Sequence, residues 1–229
     1  MPAISIIIPI YNEIEKLPLL MEQLEPYKYK NQIIIVNDGS EDGSKKILDC
    51  QKNLKIIHHS INLGKGAAIR TALKAVKEDI VMTIDGDLEI GFDDIKPLIH
   101  CVKKNQIIVG YRISKENNFF SINEFGSSLL NLIFNIIFSS SFRDILCCIK
   151  IMPTTVLKSF NLQSTGFDLE TEIMANICIQ NLKPIQKGVN YFRRTTKDGK
   201  KLRISDSALI IRRMITFRYR MFSKNGKAN

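Results

Sequence analysis

Two aspartates one residue apart, Asp85 and Asp87, are the residues of this 229-residue chain best suited to chemistry. They follow an apolar run, Ile80–Ile84, that is typical of a buried strand. Carboxylates this close repel each other unless something neutralises them, and a divalent cation does so. An oxygen-only site with open positions suits Mg²⁺ or Mn²⁺, with substrate phosphates and water as the remaining ligands. The alternative is an Asx turn that leads into a helix.

Polar turns also follow three earlier apolar runs. Glu13 comes after the first run, Asp38 stands in a Gly- and Ser-rich turn after the second, and Lys65 lies between two glycines after the third. Each turn could serve structure alone, because such sequences are common in turns and at helix starts. Residues 64–66 lack the GxxxxGK[ST] pattern, and no GxGxxG follows the first run. A Walker-type phosphate loop and the standard dinucleotide-binding motif are therefore excluded.

The apolar runs predict the scaffold that holds these turns. Each run is continuous, as expected of a strand buried on both faces, and segments with helical spacing lie between the runs. This alternation indicates an α/β fold in which helices flank a mostly parallel sheet. Ligands of such sheets bind beyond the carboxyl ends of the strands, where the polar turns stand. The predicted strands are Ile4–Pro9, Ile33–Val36, Leu54–Ile57, Ile80–Ile84 and Ile107–Val109.

The alternation stops after about residue 111. The uncharged stretch Phe125–Phe142 has a strongly apolar part, Leu129–Phe138, which would span only about 15 Å as a helix, half of a bilayer core. We expect a buried or interfacial helix there rather than a transmembrane one. Three further elements are predicted: a helix near Asp168–Asn181, an extended segment near Ile185–Phe192, and a basic helix from about Ile204 to Phe222.

The formal net charge of +10 has one location in the chain. Residues 188–229 carry 12 Lys and Arg against 2 Asp and Glu, so the first 187 residues are neutral overall. In the C-terminal helix, Arg alternates with Ile, Met, Phe and Tyr, which suits an anionic membrane surface; the alternative is a solvated helix that only closes the fold. A nucleic-acid-binding module is disfavoured, because the charge is local and no nucleic-acid motif accompanies it.

Cysteines and the chain start indicate a cytoplasmic protein. The five cysteines form no CxxC pair, and the three histidines do not stand at zinc-ligand spacing from them. An odd cysteine count without a framework suits a reducing compartment. The apolar start has no basic region ahead of it and soon meets Asn12 and Glu13, which does not fit a signal peptide.

Four segments in order resemble the inverting, family-2 glycosyltransferases of the GT-A fold: SIIIPIYNE (5–13), VNDGSEDGS (36–44), NLGKGAAIRTAL (62–73) and TIDGDLEI (83–90). The second half is similar to dolichyl- and polyprenyl-phosphate sugar transferases. Their DxxCGFK-like, FDxE and GxKLR segments read here DILCCIK (144–150), GFDLE (166–170) and DGKKLR (198–203). Cys148, Ile149 and Lys200 stand where Gly, an aromatic residue and Ser are usual. The resemblance covers nearly the whole chain and implies one domain, with a nucleotide-sugar half at 1–110 and an acceptor half at 111–229.

The resemblance also implies roles for individual residues on the donor side. Pro9, Tyr11 and Glu13 resemble the donor nucleotide pocket, Asp38 resembles the residue that contacts the base, and Lys65 lies in the segment that closes over the nucleotide. The DxD of such enzymes, which binds Mg²⁺ or Mn²⁺, matches Asp85 and Asp87, with Glu89 near the metal. Asp85 is expected to contact the donor nucleotide as well.

On the acceptor side, Arg112 resembles an arginine near the acceptor phosphate. Asp144 and Glu170 resemble acidic residues that line the sugar site and are candidate catalytic groups beside Asp85 and Asp87. The basic acceptor loop of the family matches Arg194, Lys201 and Arg203.

We therefore expect metal-dependent transfer of a hexose from a GDP- or UDP-sugar to a polyprenyl or dolichyl phosphate. The expected partners are the nucleotide sugar, the lipid phosphate, an anionic membrane at its cytoplasmic face and a membrane-anchoring subunit, with no nucleic acid. The alternative within the class is transfer to a sugar hydroxyl, which needs a general base, whereas a phosphate dianion does not.

Overall fold

A seven-stranded sheet forms the centre of the computed structural model, which describes residues 2–114, 122–192 and 204–225. The strand order is β3-β2-β1-β4-β6-β5-β7. All neighbouring strands are parallel except at β6, which runs antiparallel to both β4 and β5. The carboxyl ends of the parallel strands therefore meet at one edge of the sheet. The strands are β1 (Ile4–Ile10), β2 (Gln32–Asp38), β3 (Lys55–His59), β4 (Ile80–Thr83), β5 (Ile108–Ser114), β6 (Lys150–Pro153) and β7 (Ile185–Tyr191).

Helices cover both faces of the sheet. They are α1 (Leu17–Leu24), α2 (Ser44–Asp49), α3 (Lys65–Ala75), α4 (Phe92–Cys101), α5 (Ile122–Phe138), α6 (Thr154–Ser159), α7 (Leu169–Ile179) and α8 (Ile204–Asn225). One core lies between the sheet and α3, α5, α7 and α8, and the other lies between the sheet and α1 and α4. Successive residues of β1 alternate between the two cores, with Ile7 in the first and Ile6 and Ile8 in the second. The α/β fold expected from the sequence is confirmed.

All five predicted strands are present, and strand β6 and the short helices α2 and α6 are elements that the sequence did not reveal. Strand β6 is four residues long, begins with Lys150, ends with Pro153 and runs against the parallel alternation. The side chain of Lys150 is buried and donates to the backbone carbonyl of Cys147. A short strand that begins with a buried lysine has no strand-like apolar pattern, so the antiparallel insertion was not predictable from periodicity.

The uncharged stretch forms α5, which packs against α8. Leu130, Phe134 and Phe138 of α5 are buried, whereas Leu132 and Ile136 are 56% and 70% exposed. Among the described helices, none combines the length and the apolar character needed to cross a bilayer.

Helix α8 is amphipathic and extends to Asn225, three residues beyond the predicted end. Its buried face consists of Ile210, Met214 and Phe217, spaced so that all three lie on one side of the helix. The basic helix therefore contributes to the hydrophobic core, and this contact fixes which side of α8 faces away from the sheet.

Candidate functional site

The Asp-Gly-Asp segment forms a tight turn just beyond β4. A side chain at Gly86 would place its Cβ 2.0 Å from Cδ1 of Ile10, so any larger residue between the two aspartates would require the Ile10 side chain to shift. Leu88 has a φ of 60°, a left-handed conformation that is rare for a bulky residue. Backbone strain of this kind is typical of functional sites, where it fixes the direction of neighbouring side chains. The backbone N–H of Glu89 donates to Oδ1 of Asp87 over 3.2 Å, which closes the turn.

Lys65 joins the turn to helix α7. Its ammonium nitrogen lies 2.7 Å from Oδ1 and 2.9 Å from Oδ2 of Asp85, and 2.5 Å from Oε1 of Glu170. The Lys65 and Glu170 side chains are only 13% and 6% exposed, and that of Asp85 is 30% exposed. Burial alone would lower the pKa of Lys65, but the two carboxylates hold that pKa well above its ordinary value. Lys65 is therefore a permanent cation between two carboxylates, and this set is called the Lys65 cluster below.

Asp38 is buried behind the Lys65 segment. Its Oδ1 accepts from the backbone N–H of Leu63 over 3.0 Å and lies 2.6 Å from Nδ1 of His59, while its Oδ2 accepts from the N–H of Gly64 over 2.7 Å. With 2% of its surface exposed, Asp38 holds the turn that leads into α3. Its expected contact with a nucleotide base stays a prediction, since both carboxylate oxygens already bind protein groups.

The turns after β1 and β2 are linked to each other by side chains. Oδ1 of Asn12 accepts from the N–H of Glu41, and Oδ2 of Asp42 accepts from the N–H of Ile14, both over 2.9 Å. The N–H of Glu13 donates to Oγ of Ser44 over 3.3 Å. These bonds fix the loop that carries the expected donor-pocket residues. Within it, Pro9 and Tyr11 are half-buried and Glu13 is buried.

Arg112 and Asp144 form a bidentate ion pair at the carboxyl end of β5. Nε of Arg112 lies 2.6 Å from Oδ2 of Asp144, and an Nη lies 2.9 Å from Oδ1. The backbone N–H of Arg112 also donates to this carboxylate over 3.2 Å. Burial would raise the pKa of Asp144, but Arg112 holds it below the ordinary value. Asp144 is thus a weaker general base than an ordinary carboxylate, because a lowered pKa means a lower affinity for the proton that a base must accept.

Tyr191, at the end of β7, joins the two halves of the site. The guanidinium of Arg112 lies over its ring, 5.2 Å from the centroid. Burial raises the pKa of the Tyr191 hydroxyl, and the neighbouring carboxylates of Glu89 and Asp87 raise it further, so the hydroxyl stays protonated at neutral pH. The N–H of Phe192 donates to the carbonyl of Glu89 over 2.8 Å. Tyr191 was not among the predicted site residues; its position at the end of the predicted extended segment, just before the basic segment, is the signal that could have found it.

A pair of adjacent thiols, Cys147 and Cys148, also stands between the two halves. A hydrogen bond with Cys147, together with burial, raises the pKa of the Cys148 thiol well above its ordinary value, and Asp85 adds to this. Hydrogen bonding with Cys148 lowers the pKa of Cys147, and the cation of Lys150 acts in the same direction. Cys148 stands at the position where the sequence resemblance leads one to expect glycine. Because the charges of Asp85 and Lys65 both act on its thiol, Cys148 lies beside the Lys65 cluster.

The aspartates of the turn can hold a divalent ion only together with ligands from elsewhere. Among the described residues, no three His, Cys, Asp or Glu side chains come close enough to hold a metal ion by themselves. Asp85 and Asp87 offer carboxylate oxygens at a strand end, and diphosphate oxygens and water are the usual remaining ligands of Mg²⁺. The residues present fit an ion that arrives with a diphosphate.

The structure thus brings most of the predicted site residues to one edge of the sheet. Three pairings were not foreseen: Lys65 with Asp85, Lys65 with Glu170, and Arg112 with Asp144. The expected acceptor residues Arg194, Lys201 and Arg203 lie outside the described residues.

Comparison with known proteins agrees with this geometry. The sequence model described as glycosyl transferase family 2 matches residues 5–152. Undecaprenyl-phosphate 4-deoxy-4-formamido-L-arabinose transferase of Yersinia pestis is 28% identical over 157 residues, which are 64% of this chain and 47% of that protein. A dolichyl-phosphate beta-glucosyltransferase of Trichomonas vaginalis is 31% identical over 132 residues, which are 49% of this chain and 41% of that protein. The chain thus spans about half the length of these curated relatives.

Solved structures share the fold at low sequence identity. Glucosyl-3-phosphoglycerate synthase from Mycobacterium tuberculosis, in complex with Mn²⁺, UDP and glucosyl-3-phosphoglycerate, superposes with a TM-score of 0.72 at 15% identity over 94% of this chain and 80% of that one. Mannosyl-3-phosphoglycerate synthase from Rubrobacter xylanophilus gives a TM-score of 0.69 at 16% identity over 99% and 75%. The GT-A fold expected from the sequence is confirmed.

Proposed function

The chain belongs to glycosyltransferase family 2, and from this we propose that it transfers a hexose from a nucleoside-diphosphate sugar to a polyprenyl or dolichyl phosphate, with inversion at the anomeric carbon. The named activities of the two curated relatives, one acting on undecaprenyl phosphate and one on dolichyl phosphate, support this choice of acceptor.

The observation that carries the proposal is that both candidate general bases are paired with a cationic side chain. Glu170 is held by Lys65 at 2.5 Å, and Asp144 is held by Arg112 through two bonds. A sugar hydroxyl needs a base to remove its proton in the transition state. A lipid monophosphate has a second pKa of about 6, so it is already a dianion at neutral pH and needs only to be held. A site whose carboxylates are neutralised by cations favours the phosphate acceptor.

On the donor side, the Lys65 cluster would receive the diphosphate. Lys65, held by Asp85 and Glu170 beside the Asp-Gly-Asp turn, would add positive charge near the diphosphate and stabilise the negative charge that grows on the leaving nucleotide. The loop that contains Pro9, Tyr11 and Glu13 would hold the nucleoside, braced by its bonds to the turn after β2.

Asp85 and Asp87 would hold Mg²⁺ or Mn²⁺ together with the diphosphate, and Glu89 would support the turn beside them. Bound there, the ion would supply Lewis-acid polarisation of the diphosphate. The Mn²⁺ and UDP bound by the Mycobacterium tuberculosis synthase, which shares the fold, support this assignment.

On the acceptor side, Arg112 would bind the lipid phosphate, oriented by Asp144 and by the ring of Tyr191. The basic segment with Arg194, Lys201 and Arg203 would add positive charge. Helices α5 and α8 would rest on an anionic leaflet, because Leu132 and Ile136 of α5 and Ile215 and Tyr219 of α8 are exposed. An anchoring subunit would help to retain the protein at the membrane.

The direct test is the transfer of labelled sugar from GDP-mannose, UDP-glucose or UDP-GlcNAc in the presence of polyprenyl phosphate. We expect label in an organic-extractable, mild-acid-labile lipid with one of these donors. EDTA should abolish the transfer and added Mn²⁺ or Mg²⁺ should restore it, because the ion offsets charge on the leaving diphosphate. Label that enters only water-soluble glycan acceptors would contradict the proposal.

Membrane attachment gives a separate prediction. The exchange Arg218→Glu should weaken sedimentation with vesicles that contain phosphatidylserine by about tenfold or more, because a basic residue near an anionic surface contributes about 1 kcal/mol and the exchange also introduces a repelled carboxylate. Binding to neutral phosphatidylcholine vesicles should change little. Equal sedimentation of both proteins with anionic vesicles would show that α8 does not face the leaflet.

A further inference from the structure

Helix α8 is joined to the start of helix α7 by a buried ion pair. Nε of Arg213 donates to Oδ2 of Asp168 over 2.7 Å, and the Asp168 side chain is only 1% exposed. The other oxygen, Oδ1, is buried without a hydrogen-bond partner among the described residues. A buried carboxylate with one unsatisfied oxygen depends strongly on its remaining cation, because desolvation penalises the charge.

Two buried carboxylates hold the loop that precedes α7. Oδ2 of Asp168 also accepts from Oγ of Ser164 over 2.8 Å. The backbone N–H of Ser164 donates to Oε2 of Glu172 over 2.7 Å, and the N–H of Gln163 donates to Oε1 over 2.9 Å. Residues 163–166, called the brace loop here, are therefore fixed by side chains at the start of α7, and one of these is held in turn by Arg213.

The brace loop lies directly against the backbone on either side of Lys65. The N–H of Gly66 donates to the carbonyl of Thr165 over 2.7 Å. A Cβ on Gly66 would lie 2.2 Å from the carbonyl oxygen of Ser164, and one on Gly64 would lie 2.3 Å from that of Thr165. Two glycines in such close contact leave no room for the brace loop to move without moving Lys65.

We propose that Arg213 is a positioning residue for the donor site, which acts through Asp168 and the brace loop to hold Lys65 against Asp85 and Glu170. The role of Lys65 toward a nucleotide rests on the proposed function, whereas the mechanical coupling rests only on these contacts. The basic helix of the chain thereby controls the order of the segment expected to receive the diphosphate.

The first test needs no nucleotide. Hydrogen exchange is measured on the full chain for Arg213→Gln and for Arg212→Gln, which removes the same charge from the adjacent, exposed position. In Arg213→Gln the amides of residues 62–68, above all Gly66, should exchange about tenfold faster, while the amides of β1 stay protected. Arg212→Gln should match the parent chain. Equal exchange at Gly66 in both variants would overturn the proposal.

The second test measures the affinity for UDP and GDP with Mn²⁺ by calorimetry. Arg213→Gln should weaken the affinity for whichever nucleotide binds by about five- to tenfold, because part of the binding free energy is then needed to order the site. Arg213→Lys, which keeps the charge, should recover most of the affinity, and Arg212→Gln should not change it. A lower melting temperature with an unchanged Kd would reduce Arg213 to a stabilising role and overturn the proposal. A parent chain that binds neither nucleotide, yet shows the exchange difference, would count against the proposed function and support the coupling.

Discussion

Replacing Asp87 by alanine should lower kcat/KM for sugar transfer by about 10³-fold or more. Asp85 and Asp87 would hold a divalent ion that offsets charge on the departing diphosphate, a contribution of several kcal/mol, and each 1.36 kcal/mol is a factor of ten in rate. Steady-state transfer at saturating metal measures the effect. Affinity for the metal in the presence of the nucleoside diphosphate should fall in parallel, since the same carboxylate is lost.

Asp93 supplies the matched control for this variant. It lies in the first turn of α4 on the exposed surface, six residues further along the chain. Asp93→Ala removes the same charge from the same region and should transfer sugar at close to the parent rate. A rate for Asp87→Ala within a few-fold of that control would exclude Asp87 from the metal site.

Replacing Lys65 by methionine should affect both stability and turnover. The change leaves the carboxylates of Asp85 and Glu170 without the cation between them, and loss of one partner from a buried pair costs about 3–5 kcal/mol. Turnover should fall by about 10² to 10³, because an electrostatic contact to the leaving group is lost as well. Urea unfolding and transfer kinetics measure the two effects separately.

A second substitution separates these two roles of Lys65. In Lys65→Met with Glu170→Gln, the buried charge without a partner is removed, so the free energy of unfolding should largely recover while turnover stays low. Lys74→Met, at an exposed position of the same helix, should change neither quantity. Turnover that recovers together with stability would mean that Lys65 serves the fold and not the reaction.

The sequence predicted the scaffold well because the scaffold depends on local patterns. Continuous apolar runs marked β1 to β5, and the polar turns after them had to meet at one edge of a parallel sheet. The uncharged stretch was correctly expected to form a partly buried helix, and α8 was expected as an amphipathic one.

The pairings within the site were not predictable from local patterns. Lys65 and Glu170 are 105 positions apart, and Arg112 of β5 meets Asp144, 32 positions further along the chain, in the segment that leads into β6. Which carboxylate meets which cation depends on the strand order, and the sequence did not indicate β6. The pairing of Arg213 was not predictable either, because the sequence does not show that its partner Asp168 is buried.

The proposed lipid-phosphate acceptor is tested by direct competition between two lipids. Polyprenyl phosphate and the matching polyprenol are offered at equal concentration, with labelled donor and Mn²⁺. The two lipids differ only in the phosphate, so the comparison asks whether the site uses a ready-made dianion or needs a base to activate a hydroxyl. We expect label in the phosphate lipid alone, as a mild-acid-labile glycosyl phosphodiester. Equal or greater labelling of the polyprenol would contradict the proposed acceptor.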